Sequence, residues 1–308
     1  MVGCFSFIIT FICVLVAVAF FTLLERKGLG YFAERKGPNK VSVMGLFQPM
    51  ADAVKLFTKE FNIPMQSNFM VFSLGPSLNI LLMLLLWMCI PMYYSSMFFN
   101  LGILGFLCVS SVFVYTLLMA GWSSYSKFAL LGALRSMAQT ISYEISMVFI
   151  LLMPVVIYMS LNFGIIIIGT YSVVFMGLPM CFMWMVSCLA ETNRAPLDFA
   201  EGESELVSGF NVEYSGGGFA LVFMAEYGSI LFMSILTAIL FLGGFVVFGF
   251  QLVESLTIKA MIVCFLFVWL RAAYPRLRYN TLMDITWKFF LPVAISIVLL
   301  CILGVLMM

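Results

Sequence analysis

The sequence contains no histidine, and only 9% of its 308 residues are charged. Without histidine, the chain can supply no histidine general base, no histidine-ligated haem and no histidine-containing zinc site. Soluble proteins carry about 25% charged residues, so this chain cannot cover a normal aqueous surface. A soluble enzyme, a disordered protein and a nucleic-acid binder are therefore excluded.

Motifs for binding metals and nucleotides are also missing. The eight cysteines form no CxxC pair, and nearly all of them lie inside apolar runs. We interpret them as small buried hydrophobes, not as iron–sulfur ligands. Neither a GxGxxG nor a GxxxxGK[ST] phosphate-binding loop occurs. We expect this chain to bind no cofactor, so any flavin, nucleotide or iron–sulfur centre would belong to a partner.

Long apolar runs dominate what remains, since 64% of the residues are hydrophobic. A run of about 20 apolar residues can cross a bilayer as a helix. The sequence thus predicts an all-α polytopic membrane protein, a single membrane domain over residues 1–308 with about eight transmembrane helices. The predicted spans are Phe5–Leu24, Phe72–Met92, Leu101–Gly121, Met137–Leu161, Val173–Leu189, Phe219–Phe241, Val253–Ala273 and Ile285–Leu306.

The basic residues predict the orientation of these spans. With eight spans, 14 of the 15 Lys and Arg residues fall on one side, and only Lys259 falls opposite. The positive-inside rule assigns that basic face to the matrix or cytoplasm and both termini to the other side. Three inner loops are long or charged: a basic loop at 25–68, an acidic loop at 190–218 and a basic loop at 271–284.

The first inner loop contains an amphipathic segment from Gln48 to Phe61. Pro49 suits the first turn of a helix. One face would carry apolar side chains, and the opposite face would carry Asp52, Lys55 and Lys59. We predict an interfacial helix that lies in the headgroup plane and does not cross the membrane.

The acidic loop combines six carboxylates with a single basic residue, Arg194. Crowded carboxylates raise one another's pKa, which makes them candidate proton carriers near neutral pH. The alternative is a freely solvated acidic loop. Leu, Val and Phe residues interrupt the acids and favour packing over free solvation. The two basic inner loops could fold over this loop and partly neutralise it.

Two further carboxylates, Glu144 and Glu226, lie inside predicted spans. An ionisable residue in hydrocarbon is costly unless it faces protein or water, so a role in ion movement is the default hypothesis. The alternative is a structural hydrogen bond near a helix end. Ser136, Thr140 and Glu144 are spaced by four residues and share one helix face.

Arginines in the last inner loop alternate with aromatic and apolar residues, as in Arg271, Tyr274, Arg276 and Tyr279. This pattern suits a protein–protein contact or a ligand with a polar head. Membrane anchoring by a basic aromatic belt is the alternative.

At several of these segments the chain resembles the chain 1 subunits of mitochondrial NADH:ubiquinone oxidoreductase, respiratory complex I. The resemblance covers nearly the full length, and the long match in the acidic loop is highly specific. The matching segments are Glu25–Lys27, Arg35–Asn39, Lys55–Glu60, Gly132–Glu144, Ala190–Tyr214, Met224–Tyr227 and Tyr274–Arg276.

The resemblance implies a core membrane subunit of a proton-pumping enzyme in the mitochondrial inner membrane, with both termini in the intermembrane space. Such a subunit forms much of the tunnel through which ubiquinone, the substrate, reaches its electron donor. Arg26 and Arg271 would line the tunnel. An acidic link to the pumping subunits would consist of Glu144, Glu191, Asp198, Glu201, Glu203, Glu205 and Glu226.

The same resemblance places NADH, FMN and the iron–sulfur clusters in partner subunits and predicts contacts with other membrane-arm subunits, peripheral-arm subunits and lipid. Two other functions stay open at this point. One is a self-contained ion transporter that uses Glu144 and Glu226; the expected inverted repeat with broken helices is not apparent. The other is a purely structural anchor for the peripheral arm, which would not need carboxylates inside the membrane.

Overall fold

The computed structural model describes residues 2–91, 99–169, 173–175, 177–200, 202, 207, 209–247, 250–251 and 253–307. Within these ranges the chain is helical, apart from loops and one two-residue β-ribbon, in which Val246 pairs with Gln251 in antiparallel register. The all-α prediction is confirmed. The helices are α1 (Val2–Phe32), α2 (Gln48–Thr58), α3 (Phe69–Met88), α4 (Gly102–Ser123), α5 (Lys127–Tyr158), α6 (Phe163–Ile168), α7 (Leu178–Glu191), α8 (Gly216–Leu240), α9 (Val253–Ala273), α10 (Tyr279–Ile285) and α11 (Leu291–Met307).

Short irregular helices complete the described chain. Three 3-10 turns cover Val43–Gly45, Val173–Phe175 and Gly209–Asn211. A five-residue π-helix, Thr286–Phe290, joins α10 to α11, so that Tyr279–Met307 forms one continuous membrane-length helix. The strands β1 (Val246–Val247) and β2 (Phe250–Gln251) form the ribbon.

Seven helices are long and apolar enough to cross a membrane, counted over the ranges given above. The helix at the predicted fifth span, α7, has only 14 residues, or about 21 Å at 1.5 Å per residue. It begins five residues later than predicted, because Gly177 is its N-cap residue and Pro179 lies in its first turn, where proline is favoured.

Although α7 is short, contacts at the two ends of the segment formed by the preceding 3-10 turn and α7 indicate that this segment crosses the membrane. The 3-10 turn before α7 meets the end of α8, where Val174 N donates to Phe241 O. Just after α7, Arg194 reaches Glu25 in α1. The start of α8 lies beside the first inner loop, because Asn62 N donates to Ser215 Oγ. The 3-10 turn and α7 therefore run between the same two faces as α8.

Three membrane helices extend beyond their predicted spans into charged sequence. The last one starts at Tyr279 instead of Ile285 and includes Asp284, which was predicted to lie in the loop 271–284. Helix α1 continues to Phe32 and includes Glu25, Arg26 and Lys27, which were predicted to begin a loop. Helix α5 begins at Lys127, ten residues before the predicted start. Hydropathy marks only the part of a helix that lies in hydrocarbon, whereas the backbone hydrogen bonds continue into the polar zone.

The core lies where α4, α5, α7, α8 and the final helix pack together. Trp184, Tyr143, Phe106 and Phe232 are among its fully buried side chains. Helix α8 also packs against α1, α2 and α3, and α9 packs against α8. This central position of α8 places its residues between two cavities.

Candidate functional site: a large cavity and a buried carboxylate cluster

A cavity of about 710 Å³ opens between α1, α2, α8 and the end of α9. Its α1 wall is formed by side chains spaced three or four residues apart, a spacing that puts them on one helix face. Most of the wall is apolar. The apolar lining consists of Leu15, Val18, Ala19, Leu29, Pro49, Ala53, Leu56, Phe57, Phe219, Ala220, Phe223 and Met224.

Six charged residues line this cavity, and four of them, Glu25, Arg26, Asp52 and Arg271, form what we call its charged end; the other two are Lys55 and Lys59. Arg26 Nη2 lies 2.5 Å from Asp52 Oδ2, an ion pair that joins α1 to the interfacial helix α2. Arg271 donates to the carboxylate of Glu25, which joins α9 to α1. Arg26 and Arg271, both predicted from the sequence to line a tunnel, thus line the same cavity.

Glu25 is the most buried charged group of the cavity, only 5% exposed. It accepts hydrogen bonds from Arg271 and from both terminal nitrogens of Arg194, at 3.3 and 3.4 Å. Tyr227 also hydrogen-bonds to it. A buried carboxylate requires such compensation, because an unpaired charge out of water is strongly destabilising.

Arg194 is positioned by the turn that follows α7. Its backbone N donates to Leu189 O at 3.1 Å, and its guanidinium carbon lies 4.3 Å from the centre of the Tyr227 ring, within cation–π distance. Burial disfavours the charged guanidinium, but the Glu25 carboxylate outweighs burial and raises the pKa of Arg194. Arg194 is therefore a fixed positive charge and does not carry protons.

The turn itself is held by Gln139 of α5. Its amide nitrogen donates to Ala190 O at 3.0 Å and to Leu197 O at 2.8 Å. One buried side chain thus fixes both sides of the segment that presents Glu191 and Arg194.

A second, smaller cavity of about 40 Å³ lies deeper, among α3, α4, α5, α8 and the end of α7. Glu191 and Glu226 line it, together with Asn79, Ser110, Thr140 and Ser229. A water molecule needs roughly 10–15 Å³ of such volume and two to four polar partners, so this cavity is large and polar enough for water.

Glu144 adjoins this cavity. It hydrogen-bonds to Ser110, a lining residue, and its carboxylate interacts electrostatically with that of Glu191. Within the described part of the chain, Glu191 Oε2 and Asn193 Oδ1 are buried without a hydrogen-bond partner. The structure therefore brings Glu144, Glu191 and Glu226 together, as the sequence led us to expect.

Asp198 lies apart from this cluster. Its Oδ2 accepts from Arg276 Nη2 at 3.0 Å, and the backbone N of Leu277 donates to Pro196 O nearby. The last inner loop thus packs on the acidic loop through an ion pair. Glu201, Glu203 and Glu205 lie outside the described residues.

Sequence reasoning did not select Glu25, Asp52, Arg194 or Tyr227 as site residues. An acid at the end of an apolar run, followed by two basic residues as in Glu25-Arg26-Lys27, was the local signal for Glu25. Its partners Arg194 and Arg271 are 169 and 246 residues away in the chain, a distance over which spacing carries no information.

Comparison with known proteins identifies the family. The NADH dehydrogenase family model matches residues 5–302. The chain belongs to this family. It is similar to proteins named NADH-ubiquinone oxidoreductase chain 1 from Anopheles gambiae (53% identical, covering 92% of this chain and 90% of the relative) and from Heterololigo bleekeri (52%, covering 97% and 96%). A mammalian relative of the same name, from Emballonura alecto, is 48% identical over 95% of this chain and 93% of its own length. The family resemblance and the enzyme class predicted from the sequence are confirmed.

Proposed function

We propose that this chain is the core membrane subunit of NADH:ubiquinone oxidoreductase that receives ubiquinone in the 710 Å³ cavity and links its reduction to proton movement. The observation that carries the proposal is the division of that cavity into a long apolar wall and a charged end. Ligand cavities of about 300–1,000 Å³ are typical of small-molecule sites.

The two parts of the cavity match the two parts of the substrate. The apolar wall suits an isoprenoid tail, which needs a path that keeps it out of water. At the charged end, Arg26 and Arg271 supply N–H donors for the carbonyl oxygens of the quinone head. The guanidinium groups also stabilise negative charge that develops on those oxygens during reduction.

Reduction of the quinone to quinol consumes two electrons and two protons. The electrons come from iron–sulfur clusters of partner subunits, which also hold FMN and bind NADH. The residues of this chain bind and orient the quinone and respond to the change of charge at the head. Glu25 and Tyr227 are the groups at the charged end that can exchange protons with it.

The proton link then continues through the second cavity. Arg194 contacts Glu25 and interacts electrostatically with Glu226. From Glu226 the route leads to Glu191 and Glu144 through the small polar cavity. We place Asp198 and the acids Glu201, Glu203 and Glu205 on the continuation of this link along the acidic loop.

Partners and location follow from the same assignment. The charged face carries α2, whose Met50 and Val54 are both more than half exposed on the chain. We place these side chains in lipid or against another subunit, with the charged loops facing the peripheral arm on the matrix side. Both termini then face the intermembrane space of the mitochondrial inner membrane.

The two other functions fit the geometry less well. An independent transporter does not need a large apolar cavity beside the carboxylates, and a structural anchor does not need three carboxylates around an internal cavity. Both alternatives predict that the large cavity has no specific occupant.

Photo-cross-linking in the assembled complex tests the proposal. A photoreactive ubiquinone analogue should label α1 between Leu15 and Leu29 or α8 between Phe219 and Tyr227, and excess ubiquinone should remove the label. Arg26→Ala should lower labelling, whereas Arg278→Ala, at an exposed position of the last inner loop, is the matched control. Labelling confined to other segments would contradict the assignment.

A further inference from the structure

Arg194 occupies an unusual position between the two cavities. It lines neither of them among the residues found at their walls, yet its side chain is only 12% exposed. It contacts Glu25 and Tyr227, which line the large cavity, and it interacts electrostatically with Glu226, which lines the small one. A buried arginine with this arrangement requires a reason beyond the binding of quinone.

On the side of the large cavity, the two terminal nitrogens of Arg194 face the two carboxylate oxygens of Glu25. The planar guanidinium matches a carboxylate in this two-pronged geometry, which a lysine cannot reproduce. Arg271 competes for the same carboxylate through Glu25 Oε1. Glu25 therefore has two cationic partners and does not depend on Arg194 alone.

On the side of the small cavity, the guanidinium attracts Glu226, which lies next to Tyr227 in α8. Tyr227 hydrogen-bonds to Arg194 and to Glu25, and its ring lies against the guanidinium. Arg194 Nε is buried without a hydrogen-bond partner among the residues that the structure describes. The guanidinium is thus held on its Glu25 side and has an unused donor.

We propose that Arg194 is a positioning residue that couples the charge of Glu25 to the charge of Glu226. The inference rests on the proposed function and adds a residue through which the two cavities communicate. Within the described chain, the charged and titratable groups around it are Glu25 of α1, Glu226 and Tyr227 of α8, and Arg271 of α9, which acts through Glu25.

The physical basis is that one positive charge is shared between two carboxylates. When a proton binds Glu25, its attraction for Arg194 falls, and the guanidinium charge is left to stabilise ionised Glu226. The proton that binds Glu25 comes from a hydronium ion on the aqueous side of the large cavity, which is left as water when the O–H bond forms at Glu25. An O–H bond of Glu226 then breaks, and its proton forms a new O–H bond on the ionised carboxylate of Glu191. Since coupling between sites is reciprocal, a proton on Glu226 equally favours ionised Glu25. Arg194 keeps its own proton throughout.

The test compares Arg194→Gln and Arg194→Lys with Arg26→Gln in membranes at matched content of assembled complex. Arg194 does not line the quinone cavity, so both of its variants should lower kcat for quinone reduction with an unchanged KM for ubiquinone. The loss should be roughly fivefold or more, the lower end of typical coupling between sites. Arg26→Gln, which alters the cavity wall, should raise KM.

A double variant separates coupling from structural damage. If Arg194 acts through Glu226, Arg194→Gln combined with Glu226→Gln should be no slower than Glu226→Gln alone. If the two substitutions acted independently, the fold-losses of kcat that each causes alone would multiply in the double variant. Such a multiplied loss would overturn the proposal. If the complex that carries Arg194→Gln does not assemble, the kcat of the Arg194→Lys variant tests the proposal instead. Lysine keeps the charge but cannot hold Glu25 in a fork and reach Glu226, so a wild-type kcat in this variant would also overturn it.

The Glu226→Gln variant distinguishes a failure of the proton link from a failure of the role assigned to Arg194. Wild-type pumping and quinone reduction in Glu226→Gln would remove the proton link itself, and with it the role of Arg194. If quinone reduction and pumping are slow in Glu226→Gln but have wild-type rates in the Arg194 variants, the proton link through Glu226 stands. Arg194 then does not couple Glu25 to Glu226.

Discussion

Glu25 and Arg271 lie 246 residues apart in the chain and form a hydrogen-bonded ion pair at the charged end of the large cavity. The pair ties the inner end of the first membrane helix to the inner end of α9. Because Glu25 also holds Arg194, one buried carboxylate joins three separate segments of the chain. The contact between Glu25 and Arg271, which both line the cavity, therefore fixes the shape of its charged end.

Replacing the cavity arginines should impair the quinone reaction selectively. We expect Arg26→Ala and Arg271→Ala each to lower kcat/KM for ubiquinone by roughly ten- to a hundredfold, since hydrogen bonds to charged groups contribute about 1.5–3 kcal/mol. Electron transfer from NADH to an artificial acceptor should stay nearly unchanged, because we place the reaction of NADH in partner subunits. Equal loss of both activities in an assembled complex would count against the cavity assignment.

Removing the titratable groups around the small cavity should impair pumping. Glu144→Gln and Glu226→Gln retain shape and hydrogen-bonding capacity but cannot gain or lose charge as a relay requires. We expect the complex to assemble, with quinone reduction and proton pumping both reduced by about tenfold or more. Glu201→Gln should act in the same direction but more weakly, because Glu203 or Glu205 can replace it.

Rates of pumping and quinone reduction, measured at equal complex content, check this prediction. Wild-type rates in both intramembrane variants would leave Glu144 and Glu226 only a structural role in bracing their helices.

Lys259, the one basic residue predicted to lie on the opposite side, should stabilise the connection between α8 and α9. Its ammonium donates to the carbonyl oxygens of Leu242, Gly244 and Val246 at 2.7, 3.0 and 2.7 Å. Lys259→Met leaves these carbonyls without their donor, at a cost of about 1–3 kcal/mol. We expect faster cleavage of this connection by protease added from the outer side. Lys288→Met, which removes an exposed ammonium paired with Asp284, is the matched control and should have no such effect.

Orientation can be tested independently of activity. In mitoplasts, a membrane-impermeant label added from the outer side should not modify Lys36 in the first inner loop, and should reach it only after the membrane is opened. The distribution of basic residues motivates this expectation. Labelling of Lys36 in sealed mitoplasts would show that the predicted orientation is wrong.

The sequence predicts the membrane helices well because hydropathy and charge are local properties. Helix α9 has the predicted bounds, and α2 begins at Gln48 as predicted. Hydropathy is less informative where a crossing is short, as for α7, or where a helix extends into charged sequence, as α1 does through Glu25.

The site could be predicted only in part, for the same reason. Intramembrane acids such as Glu144 and Glu226 are conspicuous because they interrupt apolar runs. Glu25, Asp52 and Tyr227 are not, because each lies in a polar or mixed segment and gains its importance from partners brought near by folding. An ion pair between residues 169 positions apart, such as Glu25 and Arg194, cannot be predicted from the local periodicity of apolar residues.

Helix α2 forms one wall of the large cavity, and an ion pair between Asp52 and Arg26 joins it to α1. Its exposed Met50 and Val54, which do not line the cavity, place the outer face of this wall in contact with the surroundings of the protein. If those surroundings are lipid, the bilayer is itself part of the enclosure. A hydrophobic substrate would then enter sideways from the acyl chains without crossing water, and the rate of entry would vary with the thickness and headgroup charge of the membrane.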